Sequence, residues 1–323
     1  MEKLLDKIII SILKGKDHRP YVLQTINQRF ADTVFDLLKL IVEARNRNKN
    51  DSWWADEFLN NTNIPKRELL WFGGLNNKTV ANMANTTTRE VCVDLGKKNV
   101  ESINELTREI EHNDIPKIEI KIRHKGNEVT LTEKESLVLL NTISAMKLTL
   151  QGGAWSEVGK KVEKRLLFAI FEMLNLDNNN YILVPEKMKS KGLVGNREVD
   201  AVIFKDKNGK KLIRIELKLL GIGNPEIGDE ALARGVELFL TDRMTPMMIE
   251  EGKKKGIRFI ELRDSQALIK IYEYLKSEGI KVSKPSLENI EEQVKQITQK
   301  YNEEYEDTKI MKKAKELVKN SRC

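Results

Sequence analysis

Two carboxylates and a lysine in this chain could together bind a metal ion and activate water. The segment IRIELKLLGIGNPE, at residues 213–226, places Glu216 and Lys218 two positions apart within an apolar run, and Asp200 lies in the preceding apolar segment, REVDAVIF. Side chains two positions apart point to the same face of a strand. Two carboxylates on adjacent strands repel each other unless a cation lies between them, so these residues predict a site for a hard divalent cation.

The hairpin predicted between these segments sets a condition on the site. In an antiparallel pair, opposite residues point to the same face. Asp200 therefore shares the face of Glu216 only if the two sequence numbers in each facing pair add up to an even number. A turn formed by Asn208 and Gly209 alone would give an odd total and set Asp200 opposite Leu217. We therefore predict a loop of three or five residues with Gly209 in the left-handed conformation, or else a bulge within a strand.

A third carboxylate, Glu163, lies on the helix predicted before these strands. The residues three, four and seven positions later are all aliphatic, which places Glu163 at the edge of an apolar stripe. A salt bridge would explain this position as well as a catalytic role does, and the sequence leaves both open. Packed against the hairpin, Glu163 would face Asp200 and Glu216.

A second glutamate and lysine with the same spacing, Glu119 and Lys121, occur in KIEIKIRHKGNEV. The nearest upstream acid, Asp114, is separated from Glu119 only by a short segment that contains Pro116, so it is too close to lie on a neighbouring strand. We therefore expect Glu119 and Lys121 to be ordinary strand residues, or at most contacts to phosphate.

From residue 149 to about residue 284 the sequence predicts one α/β domain. Its elements are a helix over QGGAWSEVGKKVEKRLLFAIFEML capped by Ser156, strands in REVDAVIF and KLIRIELKLL, a helix from Pro225 to about Val236, a strand in ELFLTD, a helix over 245–255, a strand in IRFIEL and a helix over 265–275. This order predicts an α/β fold with a mixed β-sheet flanked by helices.

Residues 1–148 predict a mainly helical domain for DNA recognition, and residues 285–323 a C-terminal helical extension. An N-terminal amphipathic helix is expected, and the two helical segments within 79–95 resemble a helix-turn-helix that would present Arg89 to a DNA groove. Two small packing helices explain those segments equally well. A hairpin around Gly126, which could be a DNA-binding wing or a structural flap, precedes a helix from Thr132 to Lys147 that begins with a capping box formed with Glu135.

Composition favours a protein with a polyanionic partner. The chain has 323 residues, a net charge of +7 and a pI near 9.1, although clusters of lysine are more often solvated faces than binding sites. Its two cysteines, Cys92 and Cys323, are far apart, which excludes a disulfide framework and favours a reducing cytoplasm. No apolar segment of the sequence is long enough to span a bilayer, so no membrane contact is expected.

Glu163, Asp200 and the triplet at residues 216–218 together resemble the PD-(D/E)xK nuclease core, with Val199 where many members have proline. Longer strings are similar to the type II restriction endonucleases of the CfrBI group over roughly residues 151–263, namely GGAWSEVGKKVEK, NREVD, ELKLLGIGNPE and ALARGVELFLTDRM. The resemblance implies a restriction-endonuclease-like core that hydrolyses phosphodiester bonds in both strands of a short, specific double-stranded DNA sequence.

The resemblance also implies a cofactor, roles for site residues and partners. Mg²⁺ would be held by Asp200, Glu216 and the carbonyl of Leu217, and Lys218 would orient or polarise the attacking water. Glu163 would be the glutamate on the helix of this core and is counted among the catalytic residues. A homodimer and a cognate DNA methyltransferase encoded nearby are implied as partners. The residues that we consider for DNA contacts are Arg89, Lys160, Lys164, Asn224 and Arg234.

Two other functions remain open at the level of sequence. One is a non-catalytic helix-turn-helix DNA-binding protein whose α/β domain dimerises or binds a ligand. The other is a PD-(D/E)xK nuclease that acts on branched DNA or DNA ends. Metal-dependent strand scission separates the first from a nuclease, and discrete products separate a restriction enzyme from the second.

Overall fold

The computed structural model describes residues 2–111, 117–184, 199–205, 211–219 and 235–304. Contacts between Cα atoms divide the chain into two compact units. One unit is Gln24–Trp155, and the other combines the chain up to Leu23 with the chain from Ser156 onward. We expected one boundary near residue 148. The division instead follows Trp155, and it also assigns the chain up to Leu23 to the same unit as the α/β part. None of the described helices combines the length and the apolar character needed to cross a bilayer.

The unit Gln24–Trp155 is mainly helical around an aromatic core. Its core stacks Phe58 on Phe72, with ring centroids 3.9 Å apart, and the indole N–H of Trp54 donates to the carbonyl of Phe72 at 3.0 Å. The elements that contribute to it are α2 (Arg19–Arg47), a π-helical turn (Ala55–Leu59), α3 (Lys66–Phe72), α4 (Asn77–Ala84), α5 (Arg89–Glu111), β1 (Ile120–His124), β2 (Asn127–Leu131) and the first part of α6 (Glu133–Met173).

The hairpin and the capping box predicted in this unit are both confirmed. Strands β1 and β2 pair antiparallel, and the turn between them places Lys125 and Gly126 at φ values of 48° and 79°. The backbone N–H of Thr132 donates to the Glu135 carboxylate at 2.7 Å, and the N–H of Glu135 donates to the Thr132 hydroxyl at 3.4 Å. These reciprocal bonds satisfy backbone donors at the start of α6.

The prediction of two separate helices between Thr132 and Met173 is wrong. Helix α6 runs without interruption over Glu133–Met173, and Ser156 lies inside it instead of capping a new helix. Glycine inside a helix costs only about 1 kcal/mol relative to alanine, so the pair at residues 152 and 153 does not have to end it. Burial at helical spacing on both sides, for instance at Met146 and Leu166, offsets this cost.

The α/β unit contains a five-stranded mixed sheet in the order β3-β4-β5-β6-β7. The first three strands pair antiparallel and the last three pair parallel, which confirms the predicted mixed sheet. The described elements are α1 (Glu2–Leu13), the rest of α6, β3 (Tyr181–Leu183), β4 (Ala201–Phe204), β5 (Leu212–Lys218), β6 (Leu238–Thr241), α7 (Pro246–Lys254), β7 (Arg258–Glu261), α8 (Ala267–Ser277) and α9 (Ile290–Glu304). The helix predicted from Pro225 lies almost entirely outside the described residues.

The N-terminal segment belongs to this unit because both α1 and the connection that follows it are packed tightly. Helix α1 buries Leu5, Ile8 and Ile9 and contacts α9, so its predicted amphipathic character is confirmed. After it, Gly15 adopts a φ of 65°, and a Cβ atom there would lie 2.7 Å from the backbone nitrogen of Ser265. Only glycine allows the connection between α1 and α2 to approach the turn after β7 this closely.

His18, in the same connection, is a buried histidine next to charged side chains. It is 2% exposed, and its Nδ1 lies 3.6 Å from a carboxylate oxygen of Asp242. Burial lowers the pKa of His18, the charge of Asp242 opposes that effect, and the net pKa lies below the ordinary value. The other charged groups that act on it are Arg263, Asp17 and Arg19.

We predict that Gly252→Ala destabilises the protein, because a Cβ atom at Gly252 on α7 would lie 1.6 Å from the ring of Phe259. That ring packs edge-on against Phe239 and cannot move without disturbing the core. We expect a loss of about 1–3 kcal/mol in the free energy of unfolding, measured by urea denaturation. The control is Gly152→Ala in α6, where nothing lies within 4 Å of the added atom and a gain of about 0.5–1 kcal/mol is expected. Equal effects of the two changes would contradict this packing.

We predict that acidification destabilises the protein through His18. Because its pKa is lowered by folding, the unfolded chain binds this proton more readily than the folded protein does. The contribution of His18 to stability is therefore complete above the unfolded-state pKa near 6.5 and is lost as the pH falls below that value. Urea midpoints at about pH 7.5 and about pH 5.5 should differ less in His18→Gln than in the unsubstituted protein. An identical difference in both proteins would contradict the prediction.

Candidate active site

The antiparallel pairing of β4 with β5 has the register that the predicted site requires. Ala201 pairs with Ile215, and each further pair of residue numbers adds up to the same even total. The even total predicted for this hairpin is therefore confirmed for the paired residues of β4 and β5. The backbone N–H of Lys205 donates to the carbonyl of Lys211 at 2.8 Å, which leaves residues 206–210 as the connection. The conformation predicted for Gly209 lies outside the described residues.

Asp200 lies at a bend immediately before β4, where regular pairing ends. Its backbone N–H donates at 2.9 Å to the carbonyl of Ile215, the residue that pairs with Ala201. Two successive residues facing one partner in this way are typical of a bulge. The Asp200 carboxylate accepts a hydrogen bond from the backbone N–H of Leu217 at 2.8 Å. The bend therefore brings this carboxylate to β5, beside the predicted metal-binding residues.

Glu216 and Lys218 form an ion pair at the end of β5. The Lys218 ammonium lies 3.1 Å from a carboxylate oxygen of Glu216. Glu216 is 1% exposed and Asp200 is 3% exposed, so both carboxylates are buried, whereas the Lys218 side chain retains 25% exposure. A buried carboxylate is costly unless a positive charge or hydrogen-bond donors compensate it, and Lys218 supplies part of that compensation.

The negative charges of three predicted site residues act on the fourth, Lys218. Burial by itself would lower the pKa of Lys218, but the negative charges of Glu216, Asp200 and Glu163 outweigh burial, and the pKa is raised. Each of the three carboxylates is therefore close enough to stabilise the protonated ammonium. Glu163 reaches this group from α6, on which it is half-buried. The catalytic roles of the four residues stay predictions.

The oxygen atoms gathered here are of the type that Mg²⁺ prefers. Asp200 and Glu216 offer carboxylates, and the backbone of Leu217 offers a carbonyl oxygen on the same strand. Mg²⁺ is usually held by one or two carboxylates and completes its octahedral shell with water and phosphate oxygens, so this donor set fits the ion. Within the described ranges no group of three or more histidine, cysteine, aspartate or glutamate side chains is arranged to hold a metal.

The residues considered for DNA contacts lie in different environments. Arg89, at the start of α5, donates to the carbonyls of Ile64 and Asn61 at 2.8 Å each, so its guanidinium attaches a loop to this helix. Lys160 and Lys164 lie on α6, three residues before and one residue after the position of Glu163. Asn224 and Arg234 lie outside the described residues. All five DNA contacts stay predictions.

A buried group of charged residues beyond the end of β6 was missed by sequence reasoning. Asp242 follows β6, and Arg263 follows β7; the Arg263 guanidinium donates to the Asp242 carboxylate at 2.6 Å and to Asp17 at 2.7 Å. His18 completes the group. The acid that ends the apolar segment ELFLTD was the available signal, but its partners lie far away in the sequence.

Comparisons with known proteins identify the family. A model of the CfrBI restriction endonuclease family matches residues 2–248 of the chain. The match includes the N-terminal half, which the resemblance over residues 151–263 did not cover. Comparison with curated proteins found no significant match, and comparison with solved structures found none either. Because the family match covers well over half of the chain and includes the strands that carry Asp200, Glu216 and Lys218, the chain belongs to the CfrBI restriction endonuclease family.

Proposed function

We propose that this restriction endonuclease is a type II enzyme that hydrolyses both strands of a short, specific double-stranded DNA sequence and requires Mg²⁺. The observation that carries the proposal is the meeting of the Asp200 and Glu216 carboxylates with the Lys218 ammonium at the end of the β4-β5 pair. Two buried acids beside one lysine, on strands of an endonuclease family, are poorly explained by packing alone.

Asp200, Glu216 and the Leu217 carbonyl are the residues that we assign to the metal. When bound, Mg²⁺ would supply positive charge at the phosphodiester and would lower the pKa of water. The hydrogen bond from the Leu217 N–H holds the Asp200 carboxylate against β5, so the two acids are oriented before any ligand arrives. Such preorganisation reduces the reorganisation required during the reaction.

Lys218 is suited to hold and orient the attacking water. Its raised pKa keeps the ammonium protonated and therefore able to donate hydrogen bonds. Its remaining exposure gives solvent and substrate access to a group whose neighbours are buried. Glu163 adds a further negative charge that favours the protonated ammonium.

The partners follow from the proposed reaction. Double-stranded DNA is the substrate, and a homodimer would allow two copies of the site to cut the two strands of a symmetric sequence. A cognate methyltransferase would protect the host's own sites. The net charge of +7 supports a polyanionic substrate.

The central test is digestion of plasmid DNA of known sequence with and without Mg²⁺, followed by mapping of the ends. Discrete bands that require the metal are expected. A smear or trimming from the ends would instead indicate a nuclease for branched DNA or DNA ends, and intact DNA would indicate a binding protein. Mapping the ends would also give the recognition sequence and the cut positions, which depend on groove contacts.

We predict that Lys218→Ala removes cleavage and leaves DNA binding within about twofold, because the lysine acts on water and not on base edges. The cleavage rate should fall by at least about 100-fold under single-turnover conditions, with binding followed by gel shift. The matched control is Lys121→Ala, which removes the lysine of the other Glu-x-Lys triplet. Lys121 pairs with Glu128 across the β1-β2 hairpin, and its loss should leave the rate unchanged. Cleavage by Lys218→Ala at the unsubstituted rate would place the site elsewhere.

We predict that Glu216→Gln weakens the response to Mg²⁺, because the amide keeps the size of the side chain but loses the negative charge that a hard cation requires. The rate measured over a Mg²⁺ titration should remain at least about 100-fold below that of the unsubstituted protein at every concentration. Glu119→Gln, the corresponding change in the other triplet, is the control and should give an unchanged titration. If both variants titrate alike, the metal is not held by Glu216.

A further inference from the structure

The buried charges beyond the end of β6 lie next to the catalytic strand. Asp242 is 3% exposed, its carboxylate accepts from Nε of Arg263 at 2.6 Å, and His18 lies on its other side at 3.6 Å. Arg263 in turn reaches Asp17 at 2.7 Å. The strands β5, β6 and β7 are parallel, so their carboxyl ends meet at one edge of the sheet. This edge also carries Lys218.

The backbone of Asp242 is bonded directly to that of Lys218. The N–H of Asp242 donates to the carbonyl of Lys218 at 3.2 Å, just beyond the last register pair, Lys218 with Thr241. Thr241 is fully buried, so the end of β6 is enclosed by protein. The position of the Lys218 backbone therefore depends on where Asp242 lies.

The side chain and the main chain of Asp242 are both bonded to Arg263. Arg263 donates to Asp242 from Nε at 2.6 Å and from a terminal nitrogen at 3.4 Å, and the same terminal nitrogen donates to Asp17 at 2.7 Å; a lysine ammonium does not reproduce this planar fork. The backbone N–H of Arg263 also donates to the Asp242 carbonyl at 3.3 Å. Both the carboxylate and the main chain of Asp242 are thus attached to the end of β7.

We infer that Asp242, held by Arg263, is a positioning residue for Lys218 in the cleavage reaction. The inference rests on the proposed function. Asp242 does not have to touch substrate or metal. Its backbone N–H bonds to the Lys218 carbonyl and so fixes the position of the Lys218 backbone, from which the lysine side chain extends toward the attacking water. A misplacement of a catalytic group by about 1 Å costs on the order of 100-fold in rate.

The experiment compares two acidic residues, Asp242 at the carboxyl end of β6 and Glu237 at its amino end, each of which is bonded to β5. Asp242→Asn removes the charge held by Arg263 beside Lys218. Glu237→Gln is the matched control, because Glu237 pairs with Arg214 where β6 approaches β5 at the other end, with a second hydrogen bond from the Arg214 backbone N–H at 2.7 Å. Single-turnover cleavage of plasmid DNA, its Mg²⁺ dependence and retention of the same DNA in a gel shift are measured for both.

Asp242→Asn should lower the maximal cleavage rate by about 10-fold to 100-fold, with DNA retention and the half-maximal Mg²⁺ concentration unchanged within about twofold. Glu237→Gln should stay within about threefold of the unsubstituted rate. A normal rate in Asp242→Asn, or an equal loss in Glu237→Gln, would overturn the inference, since an equal loss would reflect weakened strand pairing in general.

If Asp242→Asn does not fold, Arg263→Lys decides the question. The lysine keeps the positive charge but loses the planar fork in which Nε and a terminal nitrogen both donate to Asp242, so we expect a rate at least about threefold lower with unchanged DNA retention. An unchanged rate would overturn the inference. Two further reactions distinguish failure of the proposed function from failure of this inference. The proposed function fails if the unsubstituted protein does not cut DNA with Mg²⁺, or if Lys218→Ala cuts normally.

Discussion

The register between β4 and β5 sets whether Asp200 can meet Glu216 and Lys218. Because side chains alternate between faces, a slip of one residue would turn Asp200 away from Glu216 and into an apolar core. The observed even register, together with the bend at Asp200, instead brings both carboxylates to the same lysine. Here the backbone N–H of Leu217 bonds to the Asp200 side chain, and not to a backbone carbonyl as in a regular pair of strands.

This arrangement concentrates negative charge in a buried place, which stability alone would not favour. Asp200 and Glu216 are almost fully buried, and the positive charge of the partly exposed Lys218 acts on both. Replacing one partner of such a group leaves an uncompensated charge, whereas a bound cation would compensate it. On the neighbouring strand, Asp242 has Arg263 as a dedicated partner.

The mainly helical unit has a different physical basis. Its aromatic core, with Trp53, Trp54, Phe58 and Phe72 in edge-on and stacked contacts, gives a rigid base for α4 and α5. The order of these two helices agrees with the helix-turn-helix resemblance, but Arg89 uses its guanidinium to attach a nearby loop. The interpretation of this unit as the DNA-recognition domain therefore stays a prediction, which agrees with the order of the two helices but gains nothing from Arg89.

Patterns that are local in sequence were sufficient for much of the fold. The alternation in β4 and β5, the capping box at Thr132 and the apolar stripe of α1 each depend on neighbours a few residues away, and each was predicted correctly. Strand β3 was missed, because a run of only three buried residues has no periodicity to read. The continuity of α6 was missed because packing along its length outweighs the local cost of two glycines.

The distinction between local patterns and long-range packing applies to the site as well. Residue types and the two-residue period of a strand were sufficient to select the candidate residues and the parity of register that would unite them. Packing between distant parts of the chain brings the charge of Glu163 to Lys218 and the carboxylate of Asp200 to β5. It also places His18 and Arg263 next to Asp242, with Asp17 bonded to Arg263. These contacts join residues far apart in the chain, and their distances depend on how helices and strands pack, which no local pattern encodes.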